Sequence, residues 1–364
     1  MESRKAARGR RLRIRALVGV LSLGVVSLSI IVQQNQYIGA QYSLVPDIFS
    51  GLQDIVPIHD AAAIEKSLKE KAEYSNEDFR ITALRKEILE FNEKEYVIGK
   101  WKLPEVHRLS TGEGVTVAVI DSAVDIHHRD LAGSVIQYGD NCDAPHPHGT
   151  AMAGAIAAHG KLLGIAPSVK IIAICAFSNK EANAERTTLN ILKGIDYAST
   201  QGARVINLSF AGPRDPRVET VLRAAHEKGI VLVGAAGNAG PRSPPLYPGA
   251  DPNVIAVTSV GMDDHLFPGA NRGGYIAVAA PGVDTLVLAP NNTYQLTSGT
   301  SVPSAFVSGV AALLVSLNPS LTPNDIRRIL IATAKHLGPS AQFGAGLVDP
   351  LTALRLVSSR SEMK

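Results

Sequence analysis

Five short apolar runs constrain this chain more than any other feature: 115–120 (VTVAVI), 169–175 (VKIIAIC), 204–209 (RVINLS), 230–236 (IVLVGAA) and 254–260 (VIAVTSV). A strand with one wet face alternates apolar and polar residues. A nearly continuous apolar run belongs to a strand buried on both faces. Helical patterns lie between and after the runs, at about 148–158, 184–201, 216–228, 302–317 and 323–335. This alternation predicts an α/β fold: a mostly parallel sheet with helices on both faces. Ligands bind such sheets outside the carboxyl ends of the strands. The polar residues just after each run are therefore the candidates for chemistry.

The chain has 364 residues, 45% of them hydrophobic and 19% charged, which suits a sizeable core and excludes a disordered chain or a coiled coil. Its 2 Cys exclude a disulfide scaffold. No internal repeat is evident. The formal net charge is +3, but the first fifteen residues (MESRKAARGRRLRIR) carry seven Arg/Lys against one Glu. The basic character thus belongs to a short tail, and no nucleic-acid partner is expected.

Behind that tail, residues 16–32 (ALVGVLSLGVVSLSIIV) are uncharged. A basic stretch before an apolar run is the pattern of a signal peptide or a signal-anchor. The basic end stays in the cytoplasm, so the chain beyond the apolar run is expected outside it. Left uncleaved, residues 16–32 would hold the chain in a membrane; cleavage after Ala40 would release it. Residues 33–95 are a linker and helical segment, a stalk or a pro-segment. Within 76–94, Ile81, Leu84, Ile88 and Phe91 share one helical stripe. The globular domain is expected over 96–364.

Four residues carry the chemistry. Asp121 directly follows VTVAVI. His148 opens a helix of small residues in HGTAMAGAIAA, where close packing keeps its surroundings rigid. Asn238 sits in AAGNAG after another run, between glycines that permit a tight turn and close approach of a ligand. Ser301 stands at the mouth of the helix SVPSAFVSGVAALL, where free N–H groups and the dipole favour negative charge. Each also has an ordinary structural use: cap, core histidine or turn residue. Together they make a full set for acyl transfer, with an acid, a base, a nucleophile and an amide donor. His146, His148 and Cys142 offer only weak support for zinc. GAAGNAG has the spacing G-x-x-G-x-x-G, which argues against a nucleotide loop.

These segments resemble the subtilisin-like serine protease family over about residues 97–358. AVIDSAVDIHHRDL, HGTAMAGAIAA, AAGNAG and SGTSVPSAFVSGVAALL are similar to its Asp, His, oxyanion-Asn and Ser motifs, in the chain order Asp, His, Ser. The resemblance implies a three-layer subtilisin-like fold and a serine endopeptidase acting on polypeptides. By it Asp121, His148 and Ser301 form the triad, and Asn238 with the Ser301 N–H holds the oxyanion. Ser209, Phe210, Ala211 and Gly212 would pair with substrate backbone, facing a segment that includes 177–180. Ala211, where the family usually has Gly, and Leu246 would narrow the primary pocket towards small side chains. The Ser motif departs from the usual Met-Ala-x-Pro-His, reading Val302-Pro303-Ser304-Ala305-Phe306. That departure leaves an inactive subtilisin fold, peptide-binding or a scaffold, as the alternative. No loop here has calcium-ligand spacing, so no metal or cofactor is expected. Cys142 and Cys175 could pair in an oxidising compartment or stay apart; the sequence leaves both open.

Overall fold

The computed structural model describes residues 41–42, 95–139, 144–177 and 184–361. The chain divides into two units, Met1–Tyr42 and Ser43–Lys364. In the first, only the two-residue strand Gln41–Tyr42 is described. The apolar segment 16–32 and most of 33–95 lie outside the described residues. Among the described residues, no helix is long and apolar enough to cross a membrane.

The second unit is built on a seven-stranded sheet in which every neighbouring pair is parallel. Its strands are β1 (Thr116–Asp121), β2 (Val135–Tyr138), β3 (Lys170–Cys175), β4 (Val205–Leu208), β5 (Val231–Ala235), β6 (Val254–Val260) and β7 (Ile276–Pro281). They lie in the order β2-β3-β1-β4-β5-β6-β7. The five apolar runs form the five inner strands. The two strands not foreseen, β2 and β7, are the sheet's edges. Ile136 in β2 is 66% exposed, so that strand is not buried on both faces, while β7 is wholly buried but Ala-rich and closed by Pro281.

Side chains of β1 alternate between two cores, as a period of two requires. Val117 and Val119 enter a core with Met152 and Ile156 of α3 (Pro147–Ala157) and Val310 and Leu314 of α6 (Ser301–Leu317). Ala118 and Ile120 enter the other, with Ile191 and Ile195 of α4 (Ala184–Thr200) and Leu222 of α5 (Pro216–Glu227). The fold is therefore the expected three-layer α/β arrangement. Two short helices, α1 (Tyr96–Lys100) and α2 (Leu103–Leu109), precede the sheet. An antiparallel hairpin, β8 (Thr285–Ala289) and β9 (Thr293–Thr297), precedes α6. Three further helices, α7 (Pro323–Thr333), α8 (Ser340–Phe343) and α9 (Pro350–Ser361), follow it.

Two close contacts explain the unusual Ser motif. Pro303, in the first turn of α6, tolerates its missing N–H there. A Cβ on Gly282 would stand 2.2 Å from Pro303 Cγ, so the proline ring fills the space a side chain at 282 would need. Phe306 is buried and packs edge-on against Trp101, with ring centroids 5.8 Å apart.

Candidate active site

Strand order reverses beside β1: the chain runs from β1 out to β2 and back to β3 on one side, then crosses to β4 and on to β7 on the other. Such switch points open a crevice at the strands' carboxyl ends. Asp121 is the last residue of β1 and is 2% exposed. A Cβ on Gly149 would stand 2.2 Å from the Ser122 carbonyl oxygen, so only glycine lets the first turn of α3 seat on the end of β1. This docking brings His148 to Asp121. His148 Nδ1 lies 2.8 Å from Asp121 Oδ1 and 3.0 Å from Oδ2. The carboxylate also accepts the Ser122 backbone N–H at 2.7 Å. Burial alone would lower the His148 pKa. The charge of Asp121 and its hydrogen bond outweigh that, holding the imidazole above its ordinary value of 6.5.

Ser301 is the first residue of α6, with Thr300 as its N-cap. Its hydroxyl donates to the Ser209 carbonyl at 3.1 Å. Among the described residues, no hydrogen bond joins it to His148. Asn238 follows β5. Its Oδ1 accepts from the Thr300 N–H at 3.0 Å and the Thr300 hydroxyl at 2.9 Å. That fixes the amide's orientation and turns Nδ2 towards Gly299, where a Cβ would stand 2.9 Å from it. Among the described residues Nδ2 has no hydrogen-bond partner. His148, Asn238 and Ser301 line one cavity of about 230 Å³, with His146, Gln295 and Thr297.

The predicted substrate strand is partly used within the fold. Gly212 exchanges both backbone hydrogen bonds with Tyr247, at 2.7 and 2.9 Å, so its backbone is not free to pair with substrate. The Phe210 ring meets Phe177 edge-on, with centroids 5.1 Å apart. These two and Ala211 line a second, larger apolar cleft of about 390 Å³ beside the first segment of α4. Leu246 Cδ1 lies 3.1 Å from where a Cβ on Gly237 would stand, against the backbone that leads to Asn238. Residues 178–180, the rest of the expected facing segment, lie outside the described residues.

Several site residues were not foreseen. Asn207, wholly buried in β4, gathers the hydroxyls of Ser304 and Ser308 on its Oδ1 at 3.1 Å each and donates to Ser209 Oγ at 2.8 Å. Ser209 Oγ in turn donates to the Ser301 carbonyl at 2.9 Å. This network ties α6 to the end of β4. A polar residue inside an apolar run (VINLS) was the signal that could have found it, since a buried amide needs partners. His146 caps α3 by accepting the His148 N–H on Nδ1 at 3.1 Å. Among the described residues, no group of three or more His, Cys, Asp or Glu is placed to hold a metal ion. Cys175 is disulfide-bonded; Cys142, the only other cysteine in the sequence, lies outside the described residues.

A doubly wound sheet that gathers a carboxylate, an imidazole, a hydroxyl and an amide at its carboxyl edge has the layout of an α/β serine hydrolase. The chain belongs to the subtilase family: residues 112–346 match Peptidase_S8, the Subtilase family. It is 35% identical over 267 residues to Subtilisin E of Bacillus subtilis, covering 70% of this chain and 69% of that one. It is 34% identical over 277 residues to Thermitase of Thermoactinomyces vulgaris, covering 73% of this chain and 97% of the relative. The structure of MycP1 with the N-terminal propeptide removed is similar at a TM-score of 0.62 and 28% identity, covering 71% of this chain and 97% of MycP1. The protein is accordingly a serine endopeptidase of the subtilisin type.

Proposed function

We propose that the chain hydrolyses peptide bonds through an acyl-enzyme on Ser301. Asp121 orients His148, whose Nε2 takes the Ser301 proton as Oγ attacks the scissile carbonyl. The oxyanion then lies between Asn238 Nδ2 and the Ser301 N–H at the start of α6. His148 returns the proton to the leaving amine as the C–N bond breaks, and water releases the acyl group by the same steps reversed. The observation that carries this reading is that the Asp121–His148 pair opens onto the cavity shared by Ser301 and Asn238. Free Ser301 bonded to Ser209 is compatible with it, because catalytic hydrogen bonds often form only with substrate bound. Cleavage of a protein substrate by the purified chain, abolished in Ser301→Ala, tests it. Peptide binding without cleavage by the unaltered chain would favour the inactive alternative.

Substrate backbone pairs along Ser209–Ala211 as an added strand. Ala211 and Leu246 narrow the primary pocket, so small P1 side chains such as Ala are preferred. A peptide-library profile dominated by large aromatic P1 residues would contradict this. The peptidase domain works outside the cytoplasm, anchored through residues 16–32 or released after signal cleavage. The basic flank of that segment supports this placement, as does the disulfide at Cys175. N-terminal sequencing of the mature protein separates the two. A start near Gln41 marks signal cleavage alone, and a start near residue 95 marks removal of a pro-segment.

A further inference from the structure

His146 has no part in the steps above, yet its surroundings are specific. It is the extended N-cap of α3, and its Nδ1 accepts the His148 N–H at 3.1 Å. The Ser122 hydroxyl lies 3.1 Å from the same nitrogen and 3.0 Å from Asp121 Oδ1, and it accepts the Gly149 N–H at 3.0 Å. Ser122 thus has one proton and two acceptors within reach. A ring runs from Asp121 through Ser122 and His146 to His148 and closes on Asp121 through the 2.8 Å contact to His148 Nδ1. An acceptor Nδ1 requires a neutral imidazole with its proton on Nε2. Protonation there would turn the acceptor into a donor aimed at another N–H. It would also set a cation at a helix N-terminus, where the dipole opposes it.

We propose that His146, neutral and protonated on Nε2, is a positioning residue for His148: it seats the first turn of α3 and leaves the Ser122 proton to Asp121, keeping the imidazole aligned on its carboxylate. The proposal rests on the catalytic roles given above to Asp121 and His148. Among the described residues, the titratable groups that face His146 are Asp121 at the end of β1 and His148 on α3. Gln295, Thr297, Ser298, Asn238 and Ser301 complete the polar lining and are uncharged. Asp140 and Asp143 lie outside the described residues. Burial and the neighbouring His148 push His146 below its ordinary value of 6.5, against the pull of Asp121. His148 therefore takes a proton first as pH falls, and His146 second.

The test is the pH profile of kcat/KM for the unaltered chain, His146→Asn and His146→Ala. In the unaltered chain the acid limb has a slope of one where His148 titrates and steepens to two below the His146 pKa. Asparagine caps a helix and does not titrate, so His146→Asn keeps the plateau and has a slope of one throughout. His146→Ala also has a slope of one, with a plateau several-fold lower. A purely structural cap would move the plateau and leave the slopes alone. An unaltered chain without the second break, an Asn variant that retains it, or an Ala variant with an unchanged plateau overturns the proposal. If the unaltered chain neither cleaves peptide nor labels with a fluorophosphonate, the catalytic reading itself fails. The nitrogen and proton resonances of the two histidines then decide the present point. The proposal expects His146 as the Nε2–H tautomer at pH 7. It also expects a downfield His148 Nδ1–H signal that survives in His146→Asn and is lost or shifted in His146→Ala. An Nδ1–H tautomer of His146, or a His148 signal indifferent to His146→Ala, overturns it.

Discussion

The hydroxyl of Ser301 donates to the backbone carbonyl of Ser209, 3.1 Å away, while the imidazole that would activate it is engaged with Asp121 on its other side. Ser209 is thus held from two directions. Its carbonyl takes the nucleophile's proton, and its own hydroxyl donates to the Ser301 carbonyl at 2.9 Å. In the free site Ser301 is thus held on the segment that follows β4. In the proposed mechanism, activation exchanges one acceptor for another, from the Ser209 carbonyl to His148 Nε2.

That exchange needs a neutral His148. Because the Asp121 charge and hydrogen bond outweigh burial, the acid limb of kcat/KM should have its midpoint above 6.5. Asp121→Asn removes both and leaves burial, so the midpoint should drop below 6.5 while the plateau falls by about 10⁴-fold. A pH titration of the two proteins on one peptide substrate checks both.

Asn238→Ala removes the side-chain donor and leaves the Ser301 N–H. The expected loss is about 10²–10³ in kcat with little change in KM; that size is the one known for subtilisin's own asparagine, not one derived from this chain. Thr300 loses the acceptor for its N–H and hydroxyl in the same variant. Thermal unfolding should therefore be run alongside the kinetics.

Pro303 and Gly282 are complementary. A methyl group on Gly282 would meet Pro303 Cγ at 2.2 Å and Cδ at 2.4 Å. Gly282→Ala should cost about 1–3 kcal/mol, the range for overpacking a tight core, and should reduce activity by tilting the start of α6. Pro303→Ala in the same chain should recover part of that stability, since Ser259 Oγ, 2.7 Å from the same Cβ, still has to shift. Denaturant unfolding of both singles and the double gives the coupling directly.

Much of this layout was legible in the sequence, and the parts that were not share a cause. The inner strands β1 and β3–β6 were visible because burial on both faces leaves an uninterrupted apolar run. Asp121 and Asn238 were visible because each stands just after such a run, and His148 and Ser301 because each opens a helix of small and apolar residues. Strand β2 escaped because it is half exposed, with Ile136 facing solvent, and β7 because its buried run is short, Ala-rich and closed by Pro281. The Gly282–Pro303 fit, the Thr300–Asn238 clamp and the Ser122–His146 ring depend on residues far apart in sequence meeting at a fixed distance. No local pattern encodes such a meeting. The pairing of Gly212 with Tyr247 is a meeting of the same kind, 35 positions apart and invisible in the motif that holds Gly212.

Asn207→Ala should be among the most damaging single changes outside the site. It strips the hydroxyls of Ser304 and Ser308 of their shared acceptor and Ser209 of a donor, all wholly or nearly buried. Ser308 and Ser304 keep the Ser304 and Ser301 carbonyls as acceptors, at 2.9 and 3.2 Å, so the cost is that of the lost amide's own hydrogen bonds, about 1–3 kcal/mol. Urea unfolding should show a loss of that order or more, with kcat lowered because the network holds the Ser301 carbonyl.

Glu95 gives a pH signature distant from catalysis. Burial raises its pKa from 4.5 to about 8, against the hydrogen bond it accepts from the Leu163 N–H. A pKa raised on folding contributes stability that is complete below 4.5 and is lost as pH rises through about 8. Glu95→Gln keeps the acceptor for Leu163 and removes the ionisation. The variant should be the more stable protein at pH 8 by a few kcal/mol and lose that advantage near pH 4.5. Unfolding curves at the two pH values settle the sign.

Covalent capture probes the nucleophile itself. The purified chain is treated with a fluorophosphonate and its peptides are mapped by mass spectrometry. A single adduct on Ser301, slowed by orders of magnitude in His148→Ala and absent in Ser301→Ala, is the predicted result. A chain that folds, keeps the Asp121–His148 contact and yet takes up no adduct at Ser301 would contradict the assignment of this serine as the attacking group.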